Sequence, residues 1–361
     1  MKLASRSSFR SHLSLAASLL TLAVASAGCS KADQTVQLAH DFYVAPASAA
    51  FKSRFEGVNL ASIDERGACE ASLRIAVCET TSGTGPISRN PESVSCAADS
   101  DKYLPTLMEI YDETPEKMRL SLCTLEKVFI SDNIPSTAFA SALTNNFGQI
   151  IGGFVGFKKG SFVQQPSSHD LVSWKEQLAF GGSTDFLAND PNLVQIDYAL
   201  KLTTLKKDGL FYVLMHELGH LIDFKNQVNS RFAPTDWSRL SWKTSNVPLA
   251  TASYELQDQF CFYECDSYLK ADQAPAIYSS LQKSAFITTY SGVNNYEDFA
   301  EFWVWHLILE SKSPQFTITI PGHTKLDMMP IFTDNSQIKT KLGFVDALWN
   351  SPNLVIDNRA Q

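Results

Sequence analysis

The chain has 361 residues, 44% of them hydrophobic and 19% charged, which excludes a disordered or collagen-like protein and allows one large domain or two modest ones. Thirty Lys and Arg stand against 38 Asp and Glu, a net charge of −8. An acidic chain lacks the basic surplus that displaces counterions, so nucleic acid is not an expected partner. No Gly-rich phosphate loop, dinucleotide fingerprint or fixed-period repeat is present.

Residues 1–28 read as a signal peptide. They carry Lys2, Arg6 and Arg10 with no acid, then the apolar run 13–27, too short to span a bilayer comfortably and followed by small residues. Two cleavage readings stand. Ala25-Ser26-Ala27 fits an ordinary A-x-A site. Ser26-Ala27-Gly28-Cys29 resembles a bacterial lipobox, although lipoboxes usually have Leu where Ser26 stands. On the second reading Cys29 is lipidated and anchors the chain to a membrane. Of seven cysteines, six then remain (Cys69, Cys78, Cys96, Cys123, Cys261 and Cys265), an even number suited to three disulfides outside the cytoplasm. Their spacings lack the paired C-x2-C of zinc modules, and sequence does not choose among the fifteen pairings. Ser30 after the lipid site, by resemblance to Gram-negative lipoproteins, suggests the outer membrane. Without lipidation the product is periplasmic or secreted.

Residues 29–55, rich in Ala, Ser and Gln, read as a tether. The globular part is expected from 56 to 361, in two lobes of about 56–228 and 229–361. Leu104, Leu107, Met108 and Tyr111 recur at helical spacing, and Pro115 limits that helix. Residues 127–131 are a short buried-strand pattern. Residues 147–157, FGQIIGGFVGF, read as a strand loosened by glycines at a sheet edge, a candidate surface for an extended substrate. Residues 160–192 carry many Gly, Ser, Asp and Pro and read as a long loop. Residues 206–225 form a helix with the apolar stripe Phe211, Leu214, Met215, Leu218, Leu221 and Ile222. A second helix starts near Asn295, as its N-cap, and runs to about Leu309. Residues 315–321 alternate like a strand. Helices and strands without a regular βα rhythm indicate an α+β fold.

Within the 206–225 helix, His216, Glu217 and His220 form H-E-x-x-H. Positions i and i+4 share a helix face, so two imidazoles can hold one metal ion. Glu217, one residue round, sits beside the metal, where its carboxylate can take a proton from a metal-bound water. A catalytic zinc site needs a third protein ligand and an open position. The longer H-E-x-x-H-x-x-G-x-x-H pattern fails, because Asp223 stands in place of its Gly and Asn226 in place of its His. The best source of the third ligand is N-N-Y-E-D-F-A-E, residues 294–301. There Glu297 and Glu301 share a face among Phe299, Phe302 and Trp303, with Glu297 as ligand and Glu301 orienting a histidine. Asp223, one turn beyond His220, is the runner-up: an outer partner of a ligand, or an alternative third ligand. His306 reads as packing or surface.

His-Glu-Leu-Gly-His with the downstream Glu297-Asp-Phe-Ala-Glu301 resembles the gluzincin metallopeptidases, among them the catalytic domain of anthrax lethal factor. The likeness covers about residues 205–225 and 288–305. It implies a zincin-like α+β fold with the two helices across a cleft, zinc held by His216, His220 and Glu297, Glu217 as general base, and Glu301 supporting a ligand. It also implies that Tyr290, shortly before the Glu ligand, stabilises the tetrahedral intermediate. The expected function is zinc-dependent hydrolysis of peptide bonds in proteins or peptidoglycan peptides. The alternative is an envelope binding or scaffold lipoprotein with a structural zinc site. Intact Glu217 favours the enzyme, since a structural zinc needs no base.

Overall fold

A computed structural model describes residues 44–48, 51–56, 62–81, 94–134, 136–205, 208–230, 233–263 and 265–359. The architecture is α+β. Its main sheet has five strands: β1 (Val44–Pro46), β2 (Val77–Glu79), β3 (Lys127–Ser131), β4 (Ala138–Thr144) and β5 (Ile150–Lys158), in the order β1-β4-β5-β3-β2. Only the β4–β5 pair is antiparallel.

Side-chain alternation along these strands sorts residues onto two faces. Val128, Ile130, Ala140, Val155 and Phe157 face the main core, while Phe129, Phe139, Leu143 and Phe154 build a smaller apolar cluster on the other side. Helices α1 (Arg66–Ala76), α2 (Leu104–Glu113) and α3 (Glu116–Cys123) form a layer before β3, with α1 and α3 stapled by the Cys69–Cys123 disulfide. The main core is continuous from Cys69 to Ile356, so one core serves both expected lobes.

Several sequence expectations change. The strand near 147–157 is not an edge: β5 lies between β4 and β3. Its glycines answer to packing, because a Cβ on Gly156 would sit 2.2 Å from the Phe139 ring opposite it. The expected loop at 160–192 contains α4 (Lys159–Gln164) and α5 (Ser168–Leu178). Its Ser and Asp residues are helix-start chemistry, since Ser167 and Asp170 form a capping box. The expected tether ends earlier than residue 55, because Val44 already pairs with Ala142 and Arg54 bonds the Leu125 carbonyl. The cysteines outside residue 29 do form three disulfides: Cys69–Cys123, Cys78–Cys96 and Cys261–Cys265. Cys29, the expected signal segment and most of the expected tether lie outside the described residues.

The remaining elements hold the site. Strand β6 (Gln195–Ala199) carries α5 on one side: the hydroxyls of Ser168 and Ser173 donate to the Tyr198 and Ile196 carbonyls. Helix α6 (Gly209–Asn226) runs beneath β4 and β5. After the short pair β7 (Trp242–Thr244) and β8 (Val247–Pro248) come α7 (Ala274–Leu281) and α8 (Asn295–Ser311). Strand β9 (Gln315–Thr319) joins β6 and β10 (Leu326–Asp327) in a small antiparallel sheet, and α9 (Ile331–Asp334) and α10 (Ser336–Trp349) close the chain. Among the described residues no helix is long and apolar enough to cross a membrane.

Candidate metal centre and its cleft

Helix α6 is apolar around most of its circumference, which fits a helix packed on several sides. His216, Glu217 and His220 are 6%, 6% and 1% exposed. Helix α8 is equally enclosed: Phe299, Phe302, Trp303, Val304 and Trp305 are all buried. An acid on such a helix has no solvated side, and Glu297, Asp298 and Glu301 are accordingly buried. The cap of α8 is Asn294 rather than Asn295; its side chain accepts from the backbone N–H groups of Tyr296 and Glu297. Asn295 instead donates its amide to Asn229 Oδ1.

The two helices touch at Gly219. A Cβ there would lie 3.2 Å from Ala300 Cα and from Trp303 Cβ, so the backbones meet where only glycine leaves room. That approach brings Glu297 to the histidines. Its Oε2 stands 3.0 Å from His216 Nε2 and 3.4 Å from His220 Nε2. One ligand atom from each of the three residues lies within 4.8 Å of the others, and the two rings are 4.9 Å apart at 82°.

Glu301, one turn on, supports the far side of the same imidazole. Its Oε1 is 2.9 Å from His216 Nδ1. Its Oε2 accepts from the hydroxyls of Tyr212 and Thr288, each at 2.8 Å. Burial is the largest single influence and would raise the Glu301 carboxyl, but the bond to His216, the charges of His216 and Lys175 and the Tyr212 hydroxyl together outweigh it and hold the group below its usual range. His216 shows the reciprocal effect: burial disfavours its cation, yet Glu297 and Glu301 bring it up to about 10. Burial lowers His220.

Glu217 points into the cleft beside this group. Burial is the largest influence on its carboxyl and takes it up to about 8, against the opposing pull of His216 and of the Ala140 backbone on β4. Its Oε2 is buried and has no hydrogen-bond partner among the described residues. A carboxylate oxygen kept dry and unpaired is costly unless something arrives to use it.

Asp223 lies outside the cluster. Both its oxygens accept from Asn229, one from the backbone N–H and one from the side-chain amide, at 2.7 Å each. Asn229 in turn donates to the Asn295 carbonyl. Asp223 therefore ties the end of α6 to the start of α8, and the third member of the group is Glu297. His306 is buried and packs on Trp349.

The cleft in front of His216 and Glu217 has a cavity volume of about 50 Å³ and is walled by Ser136, Thr137 and Ala138 before and on β4, Lys175 on α5, Tyr263 and Tyr290. The Tyr290 ring is 5.9 Å from the His216 ring and packs edge-on against Phe262. Phe262 and Tyr263 lie between the disulfide partners Cys261 and Cys265, so that small covalent loop forms part of the wall. Sequence reasoning did not find Lys175, Tyr212, Tyr263 or Thr288. Only Tyr212 carried a local signal, four residues before His216 on the same helix face. The others arrive from distant segments.

The residues fit a metal ion. Two imidazoles and one carboxylate converge, each at least nine-tenths buried, and the outer nitrogen of one histidine already faces a carboxylate, as metal-ligating histidines require. No known family model, curated protein or solved structure matches this chain.

Proposed function

We propose that the chain is a zinc-dependent peptidase of zincin-like fold, working on peptide bonds in the cell envelope or outside the cell. One observation carries the reading: a His2Glu donor cluster stands beside a buried carboxylate, Glu217, that is not among its three members and keeps one oxygen unpartnered among the described residues. His216, His220 and Glu297 would hold the ion. When bound, zinc would act as a Lewis acid toward a carbonyl and lower the pKa of water.

The protein's own groups supply the rest. Glu217 takes a proton from the attacking water as its oxygen bonds to the scissile carbonyl carbon. It then delivers that proton to the amine as the C–N bond breaks. Tyr290 borders the same cleft and can donate its phenol hydrogen to the developing oxyanion. Glu301, braced by Tyr212 and Thr288, fixes the plane of the His216 ring.

An extended substrate has a natural seat. The Lys158 N–H donates to the Thr137 carbonyl, so antiparallel alternation turns the backbone groups of Ala138 and Ala140 away from β5. Among the described residues β1 covers that side from Ala142 to Thr144 and the Ala140 backbone bonds Glu217, so the backbone that faces the cleft is that of Ala138, with Ser136 and Thr137 beside it. This replaces residues 147–157 as the candidate docking strand. Export, with a lipid on Cys29 or by plain secretion, belongs to the same proposal, and three disulfides support an oxidising compartment.

The rival is an envelope scaffold with structural zinc, and the two part at Glu217. In zinc-loaded protein assayed on a peptide that wild type cleaves, Glu217→Gln should cut turnover about 10²–10⁴-fold. Metal content should remain that of wild type. Equal turnover in the variant would refute the base. Absence of any cleavable peptide, with Glu217→Gln still complementing a deletion strain, would favour the scaffold.

A further inference from the structure

Lys175 takes no part in the chemistry above, yet it borders the same cleft. It sits on α5, and its ammonium lies over the Tyr290 ring, 2.8 Å from the ring centre. Tyr290 is itself 5.9 Å from the His216 ring, so Nζ lies within about 9 Å of that histidine. Four acids act on Lys175, namely Glu301, Glu297, Glu217 and Glu176, and among the described residues none forms an ion pair with it; Glu217 keeps one oxygen without a hydrogen bond, and the other three have bonds of their own. Glu301 is held by His216, Tyr212 and Thr288, and Glu297 lies against the two histidines. Glu176 accepts from the hydroxyls of Tyr278 and Thr289. Among the described residues Lys175 has no carboxylate partner and no hydrogen-bond acceptor; its contacts are with the faces of Tyr290 and Phe262.

An ammonium with a π face on one side and open cleft on the other still has donors to fill. The aromatic contact fixes its position without consuming its hydrogen bonds. None of the described cleft acids pairs with it, so a group that enters with the substrate can fill those donors.

We infer that Lys175 is an anion-receiving subsite that selects peptides bearing a carboxylate on a residue flanking the scissile bond. This rests on the peptidase reading. The reach follows from distance: a separation of at most about 9 Å is no more than two to three extended residues at about 3.4 Å each, and a side chain shortens the backbone part of the path. A carboxylate there has two sources, the chain's own C-terminus or an Asp or Glu side chain. The first makes the enzyme release C-terminal residues; the second makes it cut internally beside an acid.

The test separates binding from turnover. Fluorescent peptides matched in sequence would carry a free C-terminus or an amide, and Glu or Gln beside the cleavage position. Equilibrium binding would be measured on zinc-loaded Glu217→Gln, with and without Lys175→Met or Lys175→Arg, and cleavage on the same lysine variants with Glu217 intact. The expected result is about 10–100-fold weaker binding of the carboxylate peptide on Lys175→Met, the usual worth of a charge-assisted contact. Lys175→Arg should recover most of it, and neutral peptides should bind all forms alike. Loss confined to the free C-terminus identifies the first source, and loss confined to Glu identifies the second. If Lys175→Met slows cleavage of charged and neutral peptides equally, the lysine only positions Tyr290 and the subsite is wrong. If wild type cleaves neutral peptides as well as charged ones, the subsite fails while the peptidase reading stands. If carboxylate peptides bind through Lys175 but nothing is cleaved, the subsite stands and the peptidase reading fails.

Discussion

Two neighbouring acids on α8 should fail in opposite ways. Glu297 faces the histidines, while Asp298 turns into the core, where both its oxygens meet Lys341 Nζ at 2.7 and 2.6 Å. Trp242 Nε1 adds a bond at 2.8 Å, and Lys341 also donates to the Ala285 carbonyl. Lys341 is 1% exposed and Asp298 fully buried. Burial is strong enough to raise Asp298 to about 6 and lower Lys341 to about 8 even though they are paired. Asp298→Ala would leave an ammonium without its counter-charge among Trp237, Phe286 and Phe302. Breaking a pair of this kind costs about 3–5 kcal/mol. At about 2 °C per kcal/mol for a chain of this size, the melting temperature should fall by roughly 6–10 °C. Thermal unfolding followed by circular dichroism, with and without a chelator, should show that loss in both conditions. Glu297→Ala should mainly remove the zinc-dependent part of the stability. Adding Lys341→Met to Asp298→Ala should restore over half of the loss, because an apolar side chain suits the emptied site better than an unpaired charge. The reasoning is refuted if Asp298→Ala costs under about 1 kcal/mol in chelator, the scale of an exposed pair, or weakens zinc binding as much as Glu297→Ala.

Gly219→Leu should push α8 off α6, because even a Cβ is 3.2 Å from Ala300 Cα. Overpacking of about 1–3 kcal/mol is expected, with at least about tenfold weaker zinc binding in competition with a chromophoric chelator; unchanged affinity would mean that the contact does not set the Glu297 distance. Glu113 gives a pH signature. Burial works to raise it, but Lys312 and the Thr203 and Thr204 donors prevail and hold it at about 2. Its contribution is full above the unfolded carboxyl value of about 4.3 and is lost as pH falls toward 2. Glu113→Gln should flatten the decline of stability measured by urea unfolding between those values, and parallel curves would count against the assignment.

What the sequence made legible was local. H-E-x-x-H and Glu-x-x-x-Glu are periodic, so each pattern names its own helix face without tertiary information. Both helices lie within a residue or three of the expected bounds at each end. The misread segments failed for identifiable reasons. Ser and Asp after residue 160 are loop formers by type, yet Ser167 and Asp170 start a helix. Glycines in a strand loosen it by type, yet Gly156 of β5 is small because Phe139 crosses it. In both cases a residue type had two physical uses, and the choice depended on a neighbour the local pattern does not reveal.

The site itself is a long-range object, and that explains which parts of it stayed hidden. A spacing of four can say that Glu297 and Glu301 share a face. It cannot say that the face meets His216, because the meeting depends on Gly219 being bare where Ala300 and Trp303 press closest. Nor can it say that Tyr212 and Thr288 converge on one oxygen of Glu301. Lys175 is more remote still: on α5 it is one of three charged residues, and only the return of Tyr290 beneath its ammonium turns it toward the cleft. Chemistry carried on one helix can thus be read from its period. Selectivity comes from side chains brought in by other elements, so it must be read from packing.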